Sequence, residues 1–173
     1  MAKLIDIQDC IERLESETIF KKWKAKNSSC YFSYALTIID KDRDNNIWQI
    51  GFYNPSSDKI TTFAVDKDIS MQEEEEVFKE PEHDVEEIKP ASIKLPVNGI
   101  LEKAANFIRE NYKSEKIVKS IVHLQNHHDY GTIWNLSYVS ERLNVINLKI
   151  DAASGDIISD NVTAMFNFVA GKN

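Results

Sequence analysis

Two stretches of the chain, 86 positions apart, carry the same order of residue types, and this constrains the fold more than any other feature. Ile47-Trp48-Gln49-Ile50-Gly51-Phe52-Tyr53 and Ile133-Trp134-Asn135-Leu136-Ser137-Tyr138-Val139 both read isoleucine, tryptophan, side-chain amide, aliphatic, small, aromatic. At the same offset Ile60, Thr62 and Ala64 fall on Ile146, Leu148 and Ile150. Upstream, Ile19-Phe20-Lys21-Lys22-Trp23-Lys24 resembles Ile108-Arg109-Glu110-Asn111-Tyr112-Lys113 at an offset of 89. Three matches in one order predict a duplicated unit of about 75 residues, and 173 residues hold two of them with a connector between.

Each unit reads as a helix followed by an antiparallel meander. Asp6 is placed to cap a stripe of Ile7, Cys10, Ile11 and Leu14, while Ile19, Phe20 and Trp23 shift its phase, so a break is expected near Ser16. In the second unit Asn98 is the expected cap, and Leu101, Ala104, Ala105, Ile108 and Tyr112 form one helical stripe. The period then falls to two. Phe32, Tyr34, Leu36 and Ile38 alternate with smaller or polar neighbours, as do Trp48, Ile50 and Phe52, and later Trp134, Leu136 and Tyr138. Turn residues separate these strands at Asp42-Arg43-Asp44-Asn45-Asn46, Asn54 to Asp58, Asn126 to Gly131 and Ala152 to Asp156. The fold class expected is α+β, two tandem repeats, each an N-terminal helix packed on an antiparallel meander sheet. Trp48 and Trp134 are read as the anchors of two equivalent cores.

The charge divides the chain at the same place. Of 28 acids and 21 bases, eleven acids and two lysines lie in residues 66–88, which leaves 17 acids and 19 bases elsewhere. A segment so charged, with Pro81, Pro90 and Pro96 at its far end, reads as a solvated connector. The expected organisation is a first helix-plus-sheet repeat over residues 1–70, an acidic, proline-containing linker over 71–96 and a second repeat over 97–173. Adjacent acids such as Glu73 to Glu76 point in different directions and do not make a calcium loop.

The run Val145-Ile146-Asn147-Leu148-Lys149-Ile150-Asp151-Ala152-Ala153-Ser154-Gly155-Asp156-Ile157-Ile158 resembles the closing hairpin of the PepSY family, the peptidase-propeptide and spore-protein module, where a strand ends in Asp-Ala-x-x-Gly and the next begins with an aliphatic residue. The helix, the aromatic-bearing middle strand and the module length also fit. The first unit departs from the pattern, since Val65-Asp66-Lys67-Asp68-Ile69 stands where the glycine turn would be. The resemblance implies a binding or inhibitory role and carries no catalytic residues over.

Several classes of function are disfavoured. A net charge of −7 opposes binding to nucleic acid or to an anionic membrane. No stretch has the ~20 apolar residues of a membrane helix, and the start, Met1-Ala2-Lys3-Leu4-Ile5-Asp6, turns polar too soon for a leader, so the chain is expected in the cytoplasm without membrane insertion. Cys10 and Cys30 are expected as separate buried thiols. Phosphate-cradling and nucleophile-elbow motifs are missing, and only five glycines are present. His123, His127, His128 and Asp129 form a cluster, but a strand and its turn lack the helical His-x-x-x-His geometry of zinc enzymes, so a polar hairpin tip is expected. No catalytic residue, metal ligand or cofactor is therefore assigned.

The expected activity is non-enzymatic binding of a protein or peptide partner, in a regulatory or inhibitory role. Its candidate surface is a surplus of aromatic residues in the first unit, Tyr31, Tyr34, Phe52 and Tyr53, forming an exposed patch. The alternatives are a sensor holding an apolar small molecule between helix and sheet, and, third, a metal-dependent hydrolase using His127 or His128.

Overall fold

The structure, a computed structural model, describes residues 3–42, 46–77 and 83–170. Arg43, Asp44 and Asn45 of the first expected turn, and Lys79, Glu80, Pro81 and Glu82 of the acidic segment, lie outside the described residues. The elements run α1 (Ile7–Ser16), α2 (Thr18–Lys26), β1 (Tyr31–Asp40), β2 (Trp48–Asn54), β3 (Lys59–Val65), β4 (Ile69–Met71), β5 (Glu75–Glu76), α3 (Val97–Asn111), β6 (Ile117–His127), β7 (Gly131–Ser140), β8 (Asn144–Asp151), β9 (Ile157–Ala164) and α4 (Met165–Ala170), with a 3₁₀ turn at Pro90–Ser92 before α3. The class is α+β: among the described residues, four α-helices accompany one antiparallel sheet of nine strands.

The order across the sheet is β4-β3-β2-β1-β6-β7-β8-β9, with β5 also on β3. The first and second meanders therefore meet at β1 and β6, which pair from Tyr34↔Gln125 to Asp40↔Lys119. One sheet face is covered by the helices. Trp48, Ile50, Phe52, Phe63 and Val65 from one meander and Leu124, Trp134, Leu136, Tyr138, Leu148 and Ile150 from the other join α1, α2 and α3 in one hydrophobic cluster. The rings of Trp48 and Trp134 are only 6.3 Å apart. They anchor one shared core, not the two expected, because β1–β6 pairing makes the two apolar faces continuous.

Local chemistry sets the helices. Asp6 caps α1 through the Gln8 amide, and its other oxygen accepts from the Val97 amide at 3.1 Å, so one carboxylate serves the first turns of α1 and α3. Asn98 is not the cap. It sits inside α3 and clamps the Leu4 backbone, accepting from its N–H at 3.0 Å and donating to its C=O at 2.8 Å. The break between α1 and α2 falls at Glu17, which is extended.

The sequence match between the two halves and their strand pairing part by one residue after β2 and β7. Trp48 pairs with Val65, whereas Trp134 pairs with Ile150, so Val65, Phe63 and Thr61 correspond to Ile150, Leu148 and Ile146. Ile60, Thr62 and Ala64, matched to those residues by sequence, face the other way. The cause is the connection: Asn54↔Lys59 encloses four residues, with Asp58 at φ 56°, whereas three residues, ending in Leu143 at φ 61°, join Ser140 to Asn144. One residue flips every side chain of a strand.

The far end of the acidic segment is not solvated. Ile88 and Ile93 are fully buried in the core. The Ile88 amide donates to Phe32 O at 2.8 Å, and Gln8 Nε2 donates to Ile93 O at 2.7 Å. Two isoleucines five residues apart suffice to dock a chain whose composition is otherwise that of a loop.

Candidate functional site

Residues on the sheet face opposite the helices come from the other half of the alternation. On β1 these are Tyr34 and Leu36; across the β1–β6 ladder Gln125 and His123 stand opposite them, and across β7 and β8 the row from His123 continues to Asn135 and Lys149. Val122 and Leu124, their neighbours in sequence, point into the core. This face holds a cavity of about 430 Å³. Its floor is Tyr34, His123, Gln125, Asn135 and Lys149; one wall is residues 83–86, the other His127 and His128 at the β6–β7 turn. All four histidines of the chain line this one space.

The segment 83–88, whose first four residues form that wall, is held through its main chain. Tyr31 Oη donates to Val85 O at 2.7 Å and Asn126 Nδ2 to Glu87 O at 3.0 Å, both reaching main-chain carbonyls. From there the segment passes to the helix side, where Glu87, Ile88 and Pro90 line a second cavity of about 530 Å³ with Phe20, Lys24, Cys30 and Phe52. A third, of about 540 Å³, lies between α3 and β6, lined by Ile39, Ala105, Ile108, Tyr112, Ile117 and Tyr138.

Electrostatics divides the histidines. Burial pushes His123 down to about 4, so it is a neutral imidazole at physiological pH. Its ring meets the Tyr34 ring edge to face at 6.0 Å. Tyr34 itself lies over Gly51 and bonds Thr62 Oγ1 at 2.8 Å. At the rim, His83 stacks on His128 at 3.9 Å and His128 on His127 at 4.6 Å. His128 Nε2 stands 3.1 Å from Asp129 Oδ2.

The aromatic residues expected as one exposed patch are divided between the faces. Phe52 is 5% exposed and packs on Phe20, Trp23 and Phe63 in the core. Tyr53 is equally buried, its ring 5.5 Å from half-buried Tyr31 and its hydroxyl on Asp58. Tyr34 alone of the four lines the open-face cavity. The alternation that puts Phe52 and Tyr53 on opposite faces is legible in sequence, but their cover is not. His123 lies in the strand where the alternation places it, four residues before His127, and there forms part of the cavity floor. Both cysteines are buried free thiols, and burial pushes Cys10 up to about 12.

No family model matches the chain, and no curated protein matches it. Among solved structures, the chain is similar to a "putative lipoprotein" from Clostridium difficile 630, with a TM-score of 0.55 and 12% identity over 84% of this chain and 90% of that one. A likeness at that identity is one of fold alone. Among the described residues no helix is long and apolar enough to cross a membrane.

Proposed function

We propose that this protein is a non-enzymatic binding module that takes an extended segment of a partner protein into the open-face cavity. The observation that carries the reading is the chain's own segment 83–88, which walls that cavity at Val85 and whose Val85 and Glu87 carbonyls accept hydrogen bonds from Tyr31 and from the cavity residue Asn126. Main-chain carbonyls are common to every peptide, so groups that reach them favour peptides without fixing their sequence. Gln125, Asn135, neutral His123 and Lys149 supply further donors and acceptors on the floor. We further infer that the two halves descend from one unit, for which the mirrored strand order and the abutting tryptophans speak. The PepSY-like reading of the last hairpin is supported by Asp151, whose carboxylate accepts from the Ala153 and Ser154 amides, and by Gly155 at φ 73°.

A photocrosslinking residue at Asn135, introduced into the full chain in its native cell, tests the reading. A discrete protein adduct that disappears on Lys149→Glu is the expected result; an adduct unaffected by that change places the partner elsewhere. The apolar cavity between α3 and β6 supports a second reading, a small apolar ligand. Stoichiometric co-purification of such a compound, lost on Ala105→Trp, with no protein adduct at Asn135, would replace the first reading by the second.

A further inference from the structure

The rim of the open-face cavity carries ligating side chains that peptide recognition does not use. His127 ends β6, and His128 and Asp129 follow in the turn; ligand atoms of these three residues all lie within 4.8 Å of one another. His83 arrives from a different part of the chain and lies flat against His128, with 12° between the rings. The group thus offers three imidazoles and one carboxylate. A nitrogen-rich set with one oxygen suits zinc and its neighbours in the first transition row, whereas calcium and magnesium take oxygen ligands. Donors around a tetrahedral zinc stand about 3.3 Å from one another, given bonds of about 2.0–2.1 Å. His128 Nε2 and Asp129 Oδ2 are already 3.1 Å apart, with side-chain exposures of 39% and 61%; for the imidazoles to face one ion, the stack of His83, His128 and His127 opens and the rings turn their nitrogen edges to it.

We propose that His83, His127, His128 and Asp129 bind one divalent transition-metal ion, with zinc as the reference ion, and that the ion ties the segment carrying His83 to the β6–β7 turn. The ion would fix the wall of the cavity that is otherwise held by the carbonyl contacts of Tyr31 and Asn126. The site needs no partner and stands whether or not the cavity takes a peptide.

The test uses the full chain, stripped of metal with a chelator and titrated calorimetrically with zinc. One ion per chain is expected, not displaced by millimolar calcium, with cobalt giving the intense visible bands of a tetrahedral site. His127→Gln with His128→Gln should abolish saturable binding. His83→Gln should weaken it tenfold or more and remove the zinc-dependent hydrogen-exchange protection of residues 83–88. Replacing Glu73, Glu74, Glu75 and Glu76 by Gln is the control, because a run of acids also attracts cations, and it should leave zinc affinity unchanged. Competition by calcium, equal loss in the glutamate control, or zinc affinity unaltered by the double histidine change or by His83→Gln would each overturn the proposal. Thermal melts of every metal-free variant separate loss of a ligand from loss of the fold.

Discussion

Gly51→Ala tests the packing on which the open-face cavity depends. A Cβ at this position would stand 2.0 Å from Tyr34 Cε1 and 2.3 Å from Cδ1, far inside any real contact. The tyrosine ring must leave, and leaving breaks its 2.8 Å hydrogen bond to Thr62. Overpacking of this kind costs about 1–3 kcal/mol and a lost hydrogen bond about 1 kcal/mol more. The lower entropy of the unfolded alanine chain returns about 0.4–1 kcal/mol. The net is about 2 kcal/mol, or roughly 4–8 °C in Tm for a chain of this size. Tyr34 is half-buried and its other side faces the cavity, so the displaced ring moves into the space proposed for the ligand. Stability and binding should therefore fall together.

The second arm of the experiment isolates the cause. In a Tyr34→Ala background the obstruction is gone, and Gly51→Ala should be neutral or stabilising by about 0.5 kcal/mol. Urea denaturation followed by tryptophan fluorescence measures all four proteins. Equal costs for Gly51→Ala in both backgrounds would refute the reasoning, since the penalty would then belong to the strand backbone and not to the ring.

Acid should destabilise the protein before its carboxylates titrate. His123 binds its proton near pH 6.5 when unfolded and near 4 when folded, so its contribution is complete above about 6.5 and is lost as pH falls towards 4, by at most about 3 kcal/mol; melts of His123→Gln should lack this slope, and an unchanged slope would assign it elsewhere. Ile88→Ala should cost about 2–5 kcal/mol by denaturation although it lies in the acidic segment, because the side chain is fully buried; a cost below 0.5 kcal/mol would show a segment free of the core. The two tryptophans should differ on replacement by Phe: Trp48 Nε1 donates to Ile5 O at 3.0 Å, whereas Trp134 Nε1 is buried without a partner among the described residues. Trp48→Phe should therefore be the more costly by about 1 kcal/mol, and equal losses would contradict that pairing.

What the sequence disclosed and what it concealed follow from the range of the interactions involved. The α1 cap at Asp6, the break near Ser16 and the buried faces of β2 and β7 are local patterns of period 3.6 or 2, and the structure has them where the residues place them. The slip at Ile60, Thr62 and Ala64 required the length of two turns, which a match of residue types does not measure. The docking of Ile88 and Ile93 was hidden by charge, since nine acids outweigh two isoleucines in any average over residues 71–96. The histidine-lined cavity was least legible of all, because His83 and His127 approach only through tertiary structure.

The site depends on one register. With Tyr34 opposite Gln125 and Leu36 opposite His123, β1 and β6 place Gln125 and His123 on the open face and Val122 and Leu124 in the core. A slip of one residue along β6 would send a valine and a leucine side chain to water and an imidazole and an amide into the core, where each unpaired polar group costs about 1–3 kcal/mol. The same hydrophobic alternation that joins the two meanders into one sheet thus holds His123 and Gln125 in the cavity floor. A variant that weakens β1–β6 pairing should lose binding in the cavity before it loses the helices.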